Sequence, residues 1–301
     1  MKVVELSGGV GGARMARGLA AVPEVDLTVI VNVGDDASNH GLHISPDLDT
    51  VVYTLAGVEG PRGWGRADDT FTLNNELGRF GVDNTFQLGD RDLALKLFRT
   101  NELANGARLS DVTARIARAF DVSPTVLPAS DEPLRTMVRT ADGWLTFQEY
   151  FVKRGHRDEV VELRFDGAED AAPAPGVLEA IRDADMVIIG PSNPPLSIWP
   201  ILAIGDVRSA VATHPSVTAI SPLIGGKTVK GPADRVMASL GLPPGNRGVA
   251  VAYEGLVHRL VIDPSDGDDA SSMGDIEVLV TPTLIKEPEA AARLAAELVG
   301  L

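Results

Sequence analysis

The apolar run Leu27-Thr28-Val29-Ile30-Val31, with the four carboxylates Asp35, Asp36, Asp47 and Asp49 behind it, constrains the fold more than any other stretch of the chain. A β-branched run bounded by Gly34 reads as a buried strand. Loops leaving the carboxyl ends of parallel strands are where open α/β sheets bind their ligands. Carboxylates gathered there suit a hard divalent cation such as Mg²⁺, which is held by one or two acidic side chains together with substrate phosphates.

The amino terminus supplies the other half of such a site. Lys2 to Leu6 read as a short strand, and Ser7-Gly8-Gly9-Val10-Gly11-Gly12 turns the chain into an amphipathic helix from about Ala13 to Val22. Glycines let the backbone approach a ligand, and free N–H groups at a helix start favour phosphate oxygens. Gly8, Gly9, Gly11 and Gly12 are therefore candidate phosphate ligands, with Arg14 beside them. The dinucleotide pattern fails at Arg14, where a third glycine is required, and no Gly-Lys-Ser/Thr follows, so this is not a P-loop either.

The layout is that of one α/β domain over 1–301. Strands are expected at 2–7, 26–33, 184–190, 216–221, 248–253 and 277–281. Helices at about 174–183, 196–204, 231–241 and 287–300 separate the later strands, the pattern of a Rossmann-like, doubly wound, mostly parallel sheet. From about 50 to 122 the periodicity is helical, at 48–56, 70–79, 90–104 and 110–120, which marks a helical insertion over the strand ends. Trp144 to Val152 and Val160 to Phe165 read as a small β-hairpin appendage at about 144–166, suited to pairing two subunits.

Composition narrows the partners. The formal charge of −15 argues against nucleic acid, whose phosphates are bound by clustered Lys and Arg. Phosphorylated small molecules then need a local metal or a few converging cations, for which Arg14, Arg91, Lys227, Lys230 and Arg235 are candidates. With no cysteine, disulfides and thiolate chemistry are excluded and a reducing cytoplasm is the simplest location. No apolar run approaches the roughly 18 residues of a membrane span, and no leader pattern opens the chain.

Later motifs repeat the strand-to-helix theme. Met186 to Gly190 ends at Pro191-Ser192-Asn193-Pro194, where the Ser192 hydroxyl and Asn193 amide are placed either to hold a phosphate or sugar or to cap the following helix. Ser221 to Lys227 follows another strand, and Lys227 is either a phosphate ligand or a solvated loop cation. Gly89-Asp90-Arg91-Asp92 opens the helix at 90–104, with Arg91 either a planar fork for a ligand or an exposed residue of an Asp-capped helix.

Taken in order, Ser-Gly-Gly-Val-Gly-Gly-Ala-Arg at 7–14, Val-Asn-Val-Gly-Asp-Asp at 31–36, Ser-Pro-Asp-Leu-Asp-Thr at 45–50, Leu-Gly-Asp-Arg-Asp-Leu at 88–93 and Pro-Ser-Asn-Pro at 191–194 resemble the 2-phospho-L-lactate transferases of coenzyme F(420) biosynthesis, particularly the actinobacterial phosphoenolpyruvate transferase branch. Ser45 stands where many relatives carry cysteine, and Ser38 where several carry tryptophan; neither change removes a carboxylate. The resemblance implies transfer of a phosphoenolpyruvate moiety from enolpyruvyl-diphospho-5'-guanosine to FO (7,8-didemethyl-8-hydroxy-5-deazariboflavin), giving dehydro coenzyme F(420)-0 and GMP. The alternative donor is lactyl-diphospho-5'-guanosine. Six lysines against 21 arginines, a high-GC bias, favour the actinobacterial donor.

Under this resemblance Asp35, Asp36, Asp47 and Asp49 form the catalytic set. Asp35 and Asp49 are expected as Mg²⁺ or acceptor ligands, Asp36 or Asp47 as proton acceptor, and Arg91 as a contact to the deazaflavin. The donor's guanosine diphosphate is expected near Ser192, Asn193 and Lys227, and a homodimer is the base expectation. Two other classes share parts of the pattern. Non-catalytic proteins that bind nucleotide sugars and regulate cell-wall metabolism have the glycine turn but are not expected to carry 46–50 followed by 89–92. An NAD-dependent dehydrogenase would set Asp35 or Asp36 on a ribose hydroxyl, which Arg14 weighs against.

Overall fold

A computed structural model describes residues 1–301. Strand β1 (Lys2–Ser7) leads through helix α1 (Gly9–Ala20) to β2 (Asp26–Val31), and both strands are buried almost throughout. A short ribbon, β3 (Ala37–Asn39) with β4 (Leu42–Ile44), carries the chain into α2 (Pro46–Leu55). Then come α3 (Thr72–Arg79), α4 (Asp90–Ala104) and α5 (Leu109–Ala119), which return the chain to the sheet as β5 (Thr125–Pro128).

An antiparallel unit follows, β6 (Arg135–Thr140), β7 (Gly143–Thr146) and β8 (Glu162–Asp166), with a π-helical turn at Glu149–Lys153. The second half runs α6 (Val177–Asp183), β9 (Met186–Ile189), a π turn at Pro194–Ile198, α7 (Trp199–Leu202), α8 (Val207–Ala212) and β10 (Val217–Ile220). It continues through the ribbon β11 (Leu223–Ile224) and β12 (Lys227–Thr228), α9 (Ala233–Ser239), α10 (Asn246–Ala252) and β13 (Arg259–Ile262). A 3₁₀ segment at Pro264–Ser272, β14 (Glu277–Val280) and α11 (Pro288–Leu298) close the chain.

Seven strands form one sheet in the order β14-β13-β10-β9-β1-β2-β5, and every pairing is parallel. From β1 the chain builds outward to β2 and β5, then returns beside β1 as β9 and builds the other way. Right-handed crossovers therefore place α1 and α6 on opposite faces. On one face α1 packs against α2 and α11, where Gly18 lies close to the Ala291 backbone. The order reverses between β1 and β9, and that seam is where a doubly wound sheet opens a binding crevice.

Two expectations change. The apolar run at 248–253 is not a strand but α10, and β13 takes the sheet position. A short apolar run is ambiguous between a buried strand and a buried helix, and Pro243-Pro244-Gly245 before it supplies a helix start. The two stretches expected to form a hairpin at 144–166 do not pair with each other; β6 lies between β7 and β8, so the appendage is a three-stranded sheet. It docks through Val138, Tyr150 and Val160 onto Leu196 and Val236. No helix is long and apolar enough to cross a membrane.

Candidate active site

At the seam the carboxyl ends of β1 and β9 are pressed together. The Ser192 hydroxyl donates to the Gly8 carbonyl at 2.8 Å and accepts from the Gly8 N–H at 3.1 Å. A Cβ on Gly11 would collide with the Pro191 carbonyl, and one on Gly12 with the Ser7 hydroxyl. These glycines are thus required for the close approach of two loops, and α1 begins inside that contact. Val10, Gly11 and Gly12 lie in the first turn of α1, where N–H groups have no intrahelical partner. Val10, Gly11 and Arg14 line a cavity of about 100 Å³ shared with Pro191, Asn193, Ser221 and Lys230. Asn193 also caps the turn after it, accepting from Leu196 N–H at 3.2 Å.

Asp47 ties the acidic stretch to this turn. Pro46 fixes the first position of α2 and leaves Asp47 and Asp49 in its first turn, where the helix dipole favours negative charge. One Asp47 oxygen accepts from Gly9 N–H at 2.8 Å and the other from the Asn32 amide at 3.0 Å. Asn32 in turn accepts from Gly34 N–H at 2.8 Å, fixing the turn that presents Asp35 and Asp36. Asp36 has one oxygen held by His43 Nε2 at 3.0 Å and Ser45 Oγ at 2.8 Å. Its other oxygen, and Oδ1 of Asp35, are buried with no partner.

The antiparallel appendage braces this loop from outside. Thr136 N–H donates to the Gly34 carbonyl at 2.8 Å, and the Gln148 amide donates to the Asp35 carbonyl at 3.0 Å. Three carboxylates brought together out of water repel proton loss. Burial, then the neighbouring Asp47 charge, push the Asp35 carboxyl well above its ordinary range, although the Asn32 amide pulls the other way. Burial likewise pushes Asp47 up to about 6 against the stabilising bonds from Asn32 and Gly9. Orphaned carboxylate oxygens beside the glycine turn fit a hard cation that takes one or two protein oxygens and completes its shell from other ligands and water. No cluster of three or more His, Cys, Asp or Glu ligands exists, so an all-protein cage is not available.

Asp49 stands apart from these three. Both its oxygens are engaged by Arg99, one at 3.2 Å from Nη1 and the other by Nη2, while Lys96 Nζ sits 2.8 Å away. Burial acts to raise its pKa, but the Arg99 and Lys96 charges outweigh it and hold the carboxyl below the usual range. Lys96 also pairs with Asp92, which accepts from the Tyr53 hydroxyl at 2.6 Å. As a metal ligand Asp49 would have to give up a bidentate guanidinium, whereas Asp35 and Asp36 each keep a buried oxygen without a partner. The α4 cations were missed in the sequence because a Lys and an Arg three residues apart in an amphipathic helix look like solvated surface.

The remaining predicted residues scatter. In Gly89-Asp90-Arg91-Asp92, Asp90 caps α3 through Thr72 N–H and Leu73 N–H, and Asp69 caps α4 through Arg91 N–H and Asp92 N–H. The Arg91 side chain instead lines a separate groove of about 540 Å³ between α4 and α5, with Arg66, Phe98, Arg118 and Phe120. Lys227 lies outside the cavity at the glycine turn: Asp266 accepts from Gly225 and Gly226 N–H and ties the β11–β12 tip to the 3₁₀ segment, leaving Lys227 exposed. Lys230 and Lys286 occupy the cavity wall in its place. Arg235 is engaged with His156 on the appendage.

Comparison with known proteins bears directly on this arrangement. A family model described as "2-phospho-L-lactate transferase CofD" matches residues 3–282. A "Phosphoenolpyruvate transferase" of Kitasatospora aureofaciens is 41% identical, with 100% of this chain and 98% of that protein covered. A "2-phospho-L-lactate transferase" of Methanopyrus kandleri is 40% identical over 100% of this chain and 97% of its own length. Among solved structures, a crystal structure of a UPF0052 family member from Bacillus halodurans superimposes with a TM-score of 0.67 at 18% identity, covering 99% of this chain and 98% of that one, a likeness of fold.

Proposed function

The chain belongs to the 2-phospho-L-lactate transferase CofD family, and from that premise we propose that it transfers a phosphoenolpyruvate moiety from enolpyruvyl-diphospho-5'-guanosine to FO, releasing GMP and dehydro coenzyme F(420)-0. The observation that carries this reading is the tie from Gly9 N–H to Asp47, which joins a phosphate-binding turn to a buried carboxylate group at the sheet's switch point. Identity to the Methanopyrus lactyl-type relative is nearly as high as to the Kitasatospora enolpyruvyl-type relative, so the preference for the enolpyruvyl donor rests on the arginine-rich composition. A second reading, with lactyl-diphospho-5'-guanosine as donor, is supported by the same site.

The first-turn amides of α1, with Arg14, hold the donor's diphosphate and orient it for in-line displacement. Asp35 and Asp36, each with an oxygen free of protein partners, are the residues that would hold Mg²⁺. When bound there, the cation neutralises charge on the phosphoryl oxygens. The ribityl hydroxyl of FO forms a bond to the phosphorus that carries the three-carbon acid. The bond from that phosphorus to the bridging oxygen breaks, and its electron pair leaves with GMP. Asp47, with its pKa near 6, accepts the hydroxyl proton and passes it to solvent. Asp49, ionised by Arg99 and Lys96, keeps α4 docked on α2 beside these groups.

Purified protein incubated with FO, Mg²⁺ and each donor in turn, with products weighed by mass spectrometry, tests the proposal. The enolpyruvyl donor should give the dehydro product and GMP; turnover with the lactyl donor alone selects the second reading. No product from either donor, with NADH rather than GDP raising the melting temperature, would make the chain a dinucleotide binder.

A further inference from the structure

The segment Glu59–Arg66 lies across the glycine turn as a closed strap. Its ends are bridged by Glu59 and Arg66, Gly60 N–H donates to the Gly65 carbonyl at 2.9 Å, and Glu59 is pinned to α1 by an ion pair with Arg17 at 2.6 Å. At the strap's centre Gly63 has a φ of +80° and rests against Val10: a Cβ there would fall 2.7 Å from a Val10 methyl and 3.5 Å from the Arg14 guanidinium. From the far side of the cavity Lys230 Nζ donates to the Arg62 carbonyl. The strap thus touches both walls of the cavity at the glycine turn. That cavity, at about 100 Å³, is well below the roughly 300 Å³ at which ligand pockets begin, so a nucleotide bound at the glycine turn must reach past it, and the strap, which contacts Val10, Arg14 and Lys230 of its walls, borders that path.

The charges around it are unmatched. Arg14, Arg62, Lys230 and Lys286 form no ion pair, in a chain with 42 acidic residues and a net charge of −15. Burial, then the nearby Arg14 and Arg62 charges, lower the Lys230 pKa. The Arg62 guanidinium lies 3.9 Å from the centre of the Trp64 ring, a cation–π contact on a half-exposed indole. Converging cations without carboxylate partners await an anion, and the indole holds the Arg62 guanidinium at the edge of the group.

We propose that Arg62 is a phosphate-binding residue carried on a lid, which leaves the face of Trp64 to close, with Lys230 and Arg14, on the diphosphate of a nucleoside diphosphate ester. This rests on the transferase reading and adds to it a strap that opens for donor and shuts over it. Three cations match the three negative charges of one diphosphate diester and one carboxylate, the charge of the whole donor.

The test is GDP binding with Mg²⁺, followed by tryptophan fluorescence and by calorimetry. GDP should change the fluorescence of the wild-type protein, and Trp64→Phe should remove that change. Arg62→Met and Lys230→Met should each weaken GDP roughly 10- to 100-fold, the usual worth of a charge-assisted hydrogen bond. Arg208→Met, the same loss of charge on exposed α8, should bind as wild type. Circular dichroism confirms that each variant folds. If Arg62→Met binds GDP as wild type does, the lid proposal is overturned while the transferase reading stands. If wild-type protein binds no GDP at all, both fall.

Discussion

Asp49→Ala separates an anchoring carboxylate from a ligand-binding one. The side chains of Asp49, Arg99 and Lys96 are 5%, 1% and 4% exposed, and with Asp92 they form two anions facing two cations. Removing Asp49 leaves a surplus positive charge in that enclosure, concentrated on Arg99, whose Nε already lacks a partner. Breaking a buried pair in this way costs about 3–5 kcal/mol. At roughly 2–4 °C per kcal/mol for chains of about this size, Tm should fall by roughly 6–20 °C. The loss stays inside the roughly 5–15 kcal/mol by which domains are stable, so the variant folds at 20 °C. The assay is thermal unfolding by circular dichroism at pH 7.5 in EDTA, beside Asp35→Asn. Asp35 is pushed toward its neutral form by its surroundings, so its amide should leave the metal-free Tm unchanged or higher and should abolish any rise on adding Mg²⁺. An Asp49→Ala protein that melts with the wild type would show that Asp49 is not locked by Arg99, and the division of roles among the four carboxylates would be wrong.

Because the folded value of Asp47 is raised, the folded form binds more protons than the unfolded chain between about pH 4 and 6. Metal-free stability should therefore fall as pH rises through that window, by on the order of 3 kcal/mol from this residue, and the difference in Tm between pH 5 and pH 7 should shrink in Asp47→Asn. An unchanged difference would deny Asp47 its raised pKa. The same group, as proton acceptor, makes kcat/KM rise with pH through about 6 to a plateau; a flat profile from pH 5 to 8 would remove Asp47 from that role. Gly11→Ala places a methyl against the Pro191 carbonyl, so the loops must part, and GDP binding measured by calorimetry should be lost while the circular dichroism spectrum is kept. Wild-type affinity in that variant would place the phosphates elsewhere.

The parallel sheet was legible because its central strands are dominated by apolar residues and run into Ser, Asn or Gly, and β1, β2, β9 and β10 fall within a few residues of their expected places. α4 was legible to the residue, since Asp90 marks its start and its periodicity is long. What failed was less apolar: Thr125–Pro128 and Arg259–Ile262 are four-residue strands at or near the sheet edge that include a proline or an arginine, and β6, Arg-Thr-Met-Val-Arg-Thr, has polar and apolar residues in pairs rather than in alternation. In the site, the glycine turn and the aspartates were visible because their chemistry is concentrated in sequence. Asn32, Lys96, Arg99 and the Arg62 strap were not, because their meaning comes from tertiary partners up to 168 residues away.

A crystal structure of the protein with GDP and Mg²⁺ tests the site most directly. It should show the diphosphate on the first-turn amides of α1 between Arg14 and Lys230, with the cation about 2.1 Å from oxygens of Asp35 and Asp36. Nucleotide seated in the α4–α5 groove beside Arg91 and Arg118, with the aspartates unliganded, would contradict it.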